Sequence, residues 1–391
     1  MRPSLLGLYA FAPLFACAQV ACSAPVVVPG GGSSSDPLVL RAGAEGTSTA
    51  ALVVLERTVT ARGVAAGSNA ADSDGTAHAS AVARFIKMRV GSVDDQALRM
   101  VGATLDLPAL GTCAPAGSSA TDSMSGDAEL SSDFDAPRAV ELLDVGALSI
   151  EALEANGAQT TLEARSLPDI VDLVTGVLYS ARSSAPDTDG LPSRGSYLLR
   201  AAGSSVTADA EHSVPSFTVA ATAPGEPSEL RIGGQDARDE AGVTLDAGAA
   251  VDLRWSASDL TGVSDDVVYV ELISAPVTSG VTSGLTSGGP TSKRAATVRC
   301  LFADRGSAAI PASAFRVADQ ESPATQAGAT GKEMTRGTIV VHRIHRETFQ
   351  VAGHVSSTGT AGAGPAGAGQ LGIDSGVIRF DFARAAEFTR R

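Results

Sequence analysis

Aromatic residues make up only 4% of this 391-residue chain, and three lysines stand against 26 arginines. The sequence also contains no Gly-x-Ser-x-Gly, no His-Glu-x-x-His and no phosphate-binding Walker loop. Common hydrolase, zinc-protease and nucleotide chemistries therefore have no local motif. We predict a protein that is not an enzyme, with no catalytic residue, no cofactor and no metal. An enzyme whose catalytic residues are dispersed along the chain is the less favoured alternative.

Basic residues are also fewer than acidic residues. Asp and Glu number 43 against 29 Lys and Arg, which gives a formal net charge of -14 at pH 7. A surface of this sign repels phosphate backbones and anionic lipid headgroups. We therefore expect no nucleic-acid partner and no adhesion of the protein surface itself to a membrane.

The first 22 residues predict export. Arg2 precedes an apolar run over residues 5–15, which is too short to span a bilayer and is followed by small residues. This is the layout of a secretory signal peptide. The sequence Leu14-Phe15-Ala16-Cys17 resembles the bacterial lipobox, whose cysteine becomes the lipidated N-terminus after cleavage.

Two cysteines compete for this modification. Cys17 is the favoured lipidation site, and Cys22, preceded by Gln19-Val20-Ala21, is the alternative. Ordinary cleavage after Ala18 is a third possibility and would release a soluble periplasmic or secreted protein. Because Ala18 and not Asp follows Cys17, the lipoprotein resemblance implies the cell outer membrane, reached only through the N-terminal lipid. We assign residues 1–22 to the signal peptide and lipobox and residues 23–38, with their Gly/Ser run, to a flexible tether.

Alternation of apolar and polar residues predicts an all-β fold. In the first half of the chain, eight short alternating segments are separated by clusters of Gly, Ser, Asp and Pro. They are residues 50–60, 79–90, 99–107, 140–153, 160–164, 177–181, 197–201 and 217–221. Residues 143–155 and 170–178 could alternatively hold short helices. We expect these segments to form a β-sandwich domain over residues 39–222.

A second domain is expected after residues 221–227, where two prolines and a glycine interrupt the pattern. In residues 228–391, Trp255 lies on one predicted strand and Tyr269 follows 14 residues later on the next. This spacing resembles the fibronectin type III module, and the resemblance implies an immunoglobulin-like β-sandwich. The expected architecture is thus two β-sandwich domains after the signal peptide and tether.

Two aromatic residues are expected to have structural roles. Trp255 shares a strand face with Val251 and Leu253, so it belongs in the core of its domain rather than on a ligand platform. Tyr197 begins an apolar strand after a turn, as in a tyrosine corner, where the hydroxyl bonds to the backbone upstream.

The cysteines outside the signal peptide leave one question open. An oxidising compartment permits a disulfide between Cys113 and Cys300. The two fall in different predicted domains, however, which argues against a bridge. Cys300 shares a strand face with Val298 and Phe302, and we expect it to be a small core residue.

Metal-binding patterns are weak. The motifs Asp72-Ser73-Asp74-Gly75 and Asp187-Thr188-Asp189-Gly190 begin like calcium loops but lack the later acids of an EF-hand, so Asx turns are favoured. Calcium shared with Asp259, Asp265 and Asp266 stays an alternative. His342 and His345 are three residues apart on a predicted strand, where they point to opposite faces and cannot easily share one zinc ion.

Two stretches of low complexity are expected to be disordered. Residues 277–288 repeat a four-residue unit three times, and residues 361–369 are rich in Ala and Gly. The second stretch contains Gly362-x-Gly364-x-x-Gly367, a dinucleotide fingerprint in form. Pro365 and further glycines preclude the helix that this fingerprint requires.

In layout, the chain resembles uncharacterised predicted bacterial lipoproteins in which immunoglobulin-like domains follow a lipobox. The resemblance implies a lipid-anchored cell-envelope protein with a structural or protein-binding role and an unknown envelope or extracellular protein as partner. A secreted carbohydrate-binding or adhesive module is the alternative. It would need an exposed aromatic patch, which the low aromatic content disfavours.

Overall fold

A computed structural model describes the chain in ranges that contain all of its assigned strands. These are residues 26–27, 47–60, 76–89, 105, 107–116, 140–154, 157–170, 174–183, 191–204, 213–239, 242–246, 248–258, 260, 266–275, 296–320, 335–353 and 371–391. Within them the fold is all-β with one α-helix, which confirms the all-β part of the predicted fold class.

The strands run as follows. In the first half they are β1 (Val26–Val27), β2 (Thr47–Thr60), β3 (Thr76–Arg89), β4 (Cys113–Pro115), β5 (Val140–Leu142), β6 (Leu148–Ala152), β7 (Ala158–Ile170), β8 (Val174–Ser183), β9 (Gly195–Ala201) and β10 (Phe217–Ala223). In the second half they are β11 (Arg231–Ile232), β12 (Gln235–Asp236), β13 (Val243–Leu245), β14 (Val251–Arg254), β15 (Val267–Ala275), β16 (Ala296–Ala303), β17 (Ser307–Ile310), β18 (Thr335–Val351) and β19 (Ile373–Arg390), with helix α1 (Ala312–Gln320) between β17 and β18.

One mixed sheet joins strands from both halves of the chain. Its order is β1-β10-β9-β6-β7-β8-β5-β3-β2-β19-β18-β15-β16-β4, and β13 also pairs with β19. A second, four-stranded sheet has the order β12-β11-β14-β17. The expected arrangement of two immunoglobulin-like sandwiches is not confirmed, because β2 of the first half pairs directly with β19 of the second.

The centre of the large sheet is the hairpin of β18 and β19. These strands pair antiparallel from Thr335 opposite Arg390 to Val351 opposite Ile373. On its other side β19 pairs in parallel with β2 along residues 375–385 and with β13 at residues 388–390. Each strand of the hairpin is therefore long enough to take part in the structure of both halves of the molecule.

We call the two sides of this part of the sheet the inner and the outer face. The inner face carries Phe349, Phe380 and Phe382, which belong to a first hydrophobic core with β2, β3 and β6 to β10. Further along the same face, Val341 and Phe388 belong to a second core. The four-stranded sheet and helix α1 close this second core, so both cores are built on one pair of strands.

The outer face is apolar only in part. Around β2, β3 and β5 it carries a third buried cluster made of Ala50, Leu52, Val54, Ile86, Met88, Val140 and Leu142. Strand β2 thus buries both of its faces, whereas its sequence alternation alone predicts one buried face. Between this cluster and a small apolar group at Val340, Ala383 and Ala385, the outer face is polar.

Two glycines sit under phenylalanine rings at opposite ends of the hairpin. Gly337 is the cross-strand partner of Phe388, and Gly376 is the cross-strand partner of Phe349. A Cβ atom placed on Gly376 would overlap the ring of Phe349, and one placed on Gly337 would lie 2.6 Å from Cζ of Phe388. The missing side chains are what let both rings lie flat against the opposite strand.

The helices proposed for residues 143–155 and 170–178 are wrong. Residues 143–147 form a turn and residues 148–152 form β6, while 174–183 form β8. At Gly146, φ is +72°, and a Cβ would collide with the carbonyl of Gly203. The chain reverses there with a conformation that a helix cannot continue. The α-helix found among the described residues, α1, was not predicted from the sequence.

We predict that Gly376→Ala lowers the free energy of unfolding by about 1–3 kcal/mol, because the new methyl group must displace the Phe349 ring from the first core. Thermal and urea unfolding measure the loss. Ser375→Ala, one position away on the opposite face, is the control and should change stability by less than about 0.5 kcal/mol. Equal effects of the two substitutions would contradict the packing described here.

Candidate functional site

A layer of charged side chains lies on the inner face of the hairpin, between the first and the second core. It contains Arg57, Glu226, Asp266, Asp304, Arg343, His345, Glu347 and Arg384, and we call it the polar layer. Strands β18 and β19 place it there because their apolar residues stop at Phe349 and Phe382 on one side and resume at Val341 and Ala386 on the other.

Arg343 and Asp304 form the most buried ion pair of this layer. The Arg343 Nε atom lies 2.7 Å from Asp304 Oδ2, and each side chain is 2% exposed. The remaining donors of the guanidinium reach backbone carbonyls: Nη1 donates to Gly225 O at 2.5 Å, and Nη2 donates to Ser256 O. Burial of a charge is tolerated when its hydrogen-bonding capacity is satisfied in this way.

Asp304 is satisfied on both of its carboxylate oxygens. The indole Nε1 of Trp255 donates to Oδ1 at 2.6 Å, and the backbone N–H of Ser258 donates to Oδ2 at 3.1 Å. The indole ring itself is buried in the second core, which confirms the structural role predicted for Trp255. The only tryptophan of the chain thus fastens the second core to the polar layer.

His345 lies between two carboxylates. Its Nδ1 atom is 2.5 Å from Asp266 Oδ1, and its Nε2 atom is 3.6 Å from Glu347 Oε1. Burial lowers the pKa of this imidazole, but the hydrogen bond to Asp266 and the negative charge of the nearby Glu347 outweigh burial and raise the pKa to about 9. The ring is therefore charged at neutral pH and completes a buried carboxylate–imidazolium–carboxylate arrangement.

The segment expected to link two domains is built into this layer. Glu226 lies 2.9 Å from Arg384 and 3.9 Å from Arg57, and the backbone N–H of Thr222 donates to Glu347 at 2.7 Å. Pro224 and Pro227 are buried. Residues 222–227 therefore cross the layer as a fixed connection whose charged and backbone groups are bonded to β2, β18 and β19.

A second polar group lies on the outer face of the same strands. His342 Nδ1 is 2.7 Å from Asp381 Oδ1, and the ring of Tyr269 lies 4.8 Å from the His342 ring, centroid to centroid. The Tyr269 hydroxyl donates to Glu271, which also pairs with Arg299 at 3.1 Å. Burial, and then the hydrogen bond to Glu271, raise the pKa of Tyr269. His342 and His345 thus occupy opposite faces, as predicted from their spacing.

The His342–Asp381 pair resembles the base and acid of a hydrolase triad in its Nδ1–carboxylate bond, but the described residues supply no third member. His342 Nε2 is buried, and no hydrogen-bond partner is found for it in the part of the chain that the structure describes. A nucleophilic hydroxyl or thiol activated by this ring would have to bond there. Among the described residues, no group of three His, Cys, Asp or Glu side chains could hold a metal ion either.

Cys113 and Cys300 form a disulfide, and the argument against this pairing is wrong. The sulfur atoms are 2.08 Å apart across a sequence separation of 187 residues. The pairing is possible because β4 adds to the edge of β16, placing residues 113–115 opposite residues 298–300. Cys300 does lie in the second core beside Val298, as expected, and Phe302 packs against the same core.

Of the other predictions about individual residues, one is confirmed and most lie outside the described residues. The Tyr197 hydroxyl donates to the carbonyl of Pro192, which confirms the tyrosine corner. Asp266 is described, and its carboxylate pairs with His345. The remaining predictions lie outside the described residues: lipidation at Cys17 or Cys22, both calcium-like motifs, Asp259 and Asp265, and the low-complexity stretches 277–288 and 361–369. Of the tether assigned to residues 23–38, only Val26–Val27 is described, as the edge strand β1 paired with β10.

No known protein family model matches the chain, and no curated protein matches it. Over the described ranges, no helix has the length and apolar character needed to cross a bilayer.

Neither the polar layer nor the polar group on the outer face was predicted from the sequence. The only available signal was the run of charged residues inside the apolar segments of β18 and β19, where Arg343, His345, Arg379 and Asp381 interrupt otherwise hydrophobic strands.

We predict that Asp304→Ala lowers the free energy of unfolding by about 3–5 kcal/mol, because it leaves the Arg343 guanidinium buried without its counter-charge. Asp236→Ala, which breaks the exposed Arg238–Asp236 pair, is the matched control and should cost at most about 1 kcal/mol. Urea denaturation of both variants provides the comparison. A loss for Asp304→Ala no larger than that of the control would show that the buried pair does not support the fold.

We predict that the free energy of unfolding depends on pH through His345. Its pKa is about 9 in the folded chain and about 6.5 when unfolded, so its stabilising contribution is complete below pH 6.5 and is lost as pH rises through 9. The free energy of unfolding should fall by up to about 3 kcal/mol across this window. Urea denaturation at several pH values, compared with His345→Gln, isolates this group. A variant that keeps the wild-type slope would refute the assignment.

Proposed function

We propose that the chain is an exported, lipid-anchored cell-envelope protein with a non-enzymatic structural or protein-binding role. The observation that carries this proposal is the Cys113–Cys300 disulfide. Disulfides form and persist in oxidising compartments such as the bacterial periplasm or cell surface, and they are rare in the cytosol. The bridge agrees with the N-terminal segment, whose apolar run and small residues have the layout of a secretory signal.

The described polar groups also favour a structural or binding role over catalysis. In the polar layer, Asp304 accepts hydrogen bonds from guanidinium, indole and backbone donors, and Glu347 accepts one from the backbone N–H of Thr222. Such hydrogen bonds hold one arrangement in place. On β7 and β8 there is a shallow polar groove of about 410 Å³, lined by residues such as Thr161, Glu163 and Arg182.

The proposed location is the outer membrane, with Cys17 as the lipidated residue and Cys22 as the alternative. A soluble periplasmic or secreted protein is the competing proposal. The partner is an envelope or extracellular protein. A carbohydrate-binding or adhesive role is less favoured, because the large hydrophobic residues exposed in the described structure are Leu110 and Leu153, neither of which is aromatic. The resemblance to lipoproteins with immunoglobulin-like domains remains part of this proposal.

We predict that the native protein is found in the outer-membrane fraction with a lipid on Cys17. Its intact mass should also be two hydrogens lighter than that of the reduced chain, because Cys113 and Cys300 are joined. Mass spectrometry of the intact protein and of its N-terminal peptide, from separated membrane and supernatant fractions, measures both features.

Two substitutions serve as controls. Cys17→Ser should move the protein to the soluble fraction, whereas Cys22→Ser should leave it in the membrane; the opposite pattern would assign the lipid to Cys22. An unmodified chain in the supernatant would contradict anchoring, and free thiols at Cys113 and Cys300 would remove the observation that supports export.

A further inference from the structure

The polar groove on β7 and β8 lies where these two strands separate. Strand β7 pairs with β8 as far as Glu163, which is opposite Ser180. Beyond this pair, residues 158–162 of β7 are bonded to β6, whereas residues 181–183 of β8 continue along β3. The two strands thus enter different pairings and leave an opening between them. The groove, of about 410 Å³, is this opening, since residues of both strands line it.

One wall of the groove is an open strand edge. Residues 181–183 of β8 pair with β3 on one side. On the other side, where β7 has turned away, no strand partner is found for them within the described ranges. Backbone N–H and C=O groups of a strand point alternately to its two sides, so such an edge presents donors and acceptors that an added strand can use. The place that β7 leaves beside β8 is therefore open to another extended segment.

The side chains of the groove suit a polypeptide better than a sugar. Gln159 and Thr161 of β7 and Ser180 of β8 supply amide and hydroxyl groups at the walls, and the buried side chain of Leu191 forms an apolar floor. Among the described residues that line the groove, none is aromatic, so a carbohydrate would have no ring to stack on. An extended peptide can bond its backbone to the walls and place an apolar side chain on the floor.

Arg182 gives the groove a preference for negative charge. Its side chain is exposed, and no hydrogen bond or ion pair of its guanidinium is found in the part of the chain that the structure describes. The other two charged residues of the lining, Glu163 and Arg165, lie 3.7 Å apart and balance each other. One positive charge is left over, so we expect the bound segment to carry a carboxylate that accepts hydrogen bonds from Arg182.

We propose that the groove binds an extended, acidic peptide segment of a partner protein, which adds to the open edge of β8 as a further strand and places a carboxylate on Arg182. Main-chain hydrogen bonds to residues 181–183 provide affinity, and Leu191 and Arg182 select the side chains. The inference rests on the protein-binding part of the proposed function and names the kind of segment that is bound. It does not depend on the lipid anchor, which membrane fractionation tests separately.

The test is selection of phage-displayed random peptides, about twelve residues long, on the full chain. We expect enrichment of peptides that contain Asp or Glu, and synthetic copies should bind one per chain in fluorescence polarisation. Thr161→Trp fills the groove from an exposed strand position that tolerates an aromatic residue, and it should weaken binding by about tenfold or more. Ser307→Trp, at an exposed position of β17 in the other sheet, is the matched control and should bind like the wild type.

Two further comparisons separate charge from strand addition. Arg182→Met should weaken binding of the acidic peptides by about fivefold, whereas Arg254→Met, which removes an exposed arginine of β14, should not change it. The enriched peptide is also made in two versions, each methylated at alternate backbone nitrogens. Because only every second N–H of an added strand faces β8, one version should lose binding and the other should retain it.

Failure to enrich any peptide, equal binding by Thr161→Trp, or binding that both methylated versions retain would overturn the proposal. A wild-type dimer that Thr161→Trp abolishes, measured by sedimentation, would assign the edge of β8 to a second copy of the chain and would overturn it as well. Binding of an envelope protein that Thr161→Trp leaves intact would remove the groove as the binding site while the proposed function stands.

Discussion

The ion pair between Arg343 and Asp304 lies where two hydrophobic cores meet on the same two strands. Strands β18 and β19 are too long to be covered by one core, and the stretch between the cores is closed by the segment 222–227 and by the loop after β14. Charges buried at such a place are costly unless they are paired and hydrogen-bonded. The fold meets that condition for Arg343 and Asp304 by bringing backbone carbonyls, an indole N–H and a backbone N–H to this pair.

This constraint ties the two halves of the chain together. The parallel pairing of β2 with β19 joins the first half to the second, and Glu226 bonds to Arg57 and Arg384 on these two strands. The disulfide acts at the far edge of the same sheet, where it ties β4 to β16. Such cross-links keep the faces of the molecule in one arrangement.

The alternation of apolar and polar residues was enough to predict individual strands and the structural roles of two aromatic residues. Alternation predicts β2, β3, β9 and β10 close to their observed limits, and it places Trp255 and Tyr197 correctly. Alternation could not predict which strands pair with each other, since the paired residues of β2 and β19 are more than 300 positions apart. The Cys113–Cys300 bridge was misjudged for the same reason: a short strand, β4, leaves the first half to pair with β16. Arg346 and Arg379 become neighbours only through the register of the hairpin.

The central claim is that the polar layer joins both cores into one cooperative unit, and parallel urea titrations with one probe in each core test it most directly. Trp255, the only tryptophan, reports on the second core through its fluorescence. Hydrogen exchange of β2 and β3, measured by mass spectrometry, reports on the first. We predict that both probes change at the same urea concentration, because neither core can release β18 and β19 without breaking the layer. Two separate transitions, with one core still protected after the other has unfolded, would contradict this account.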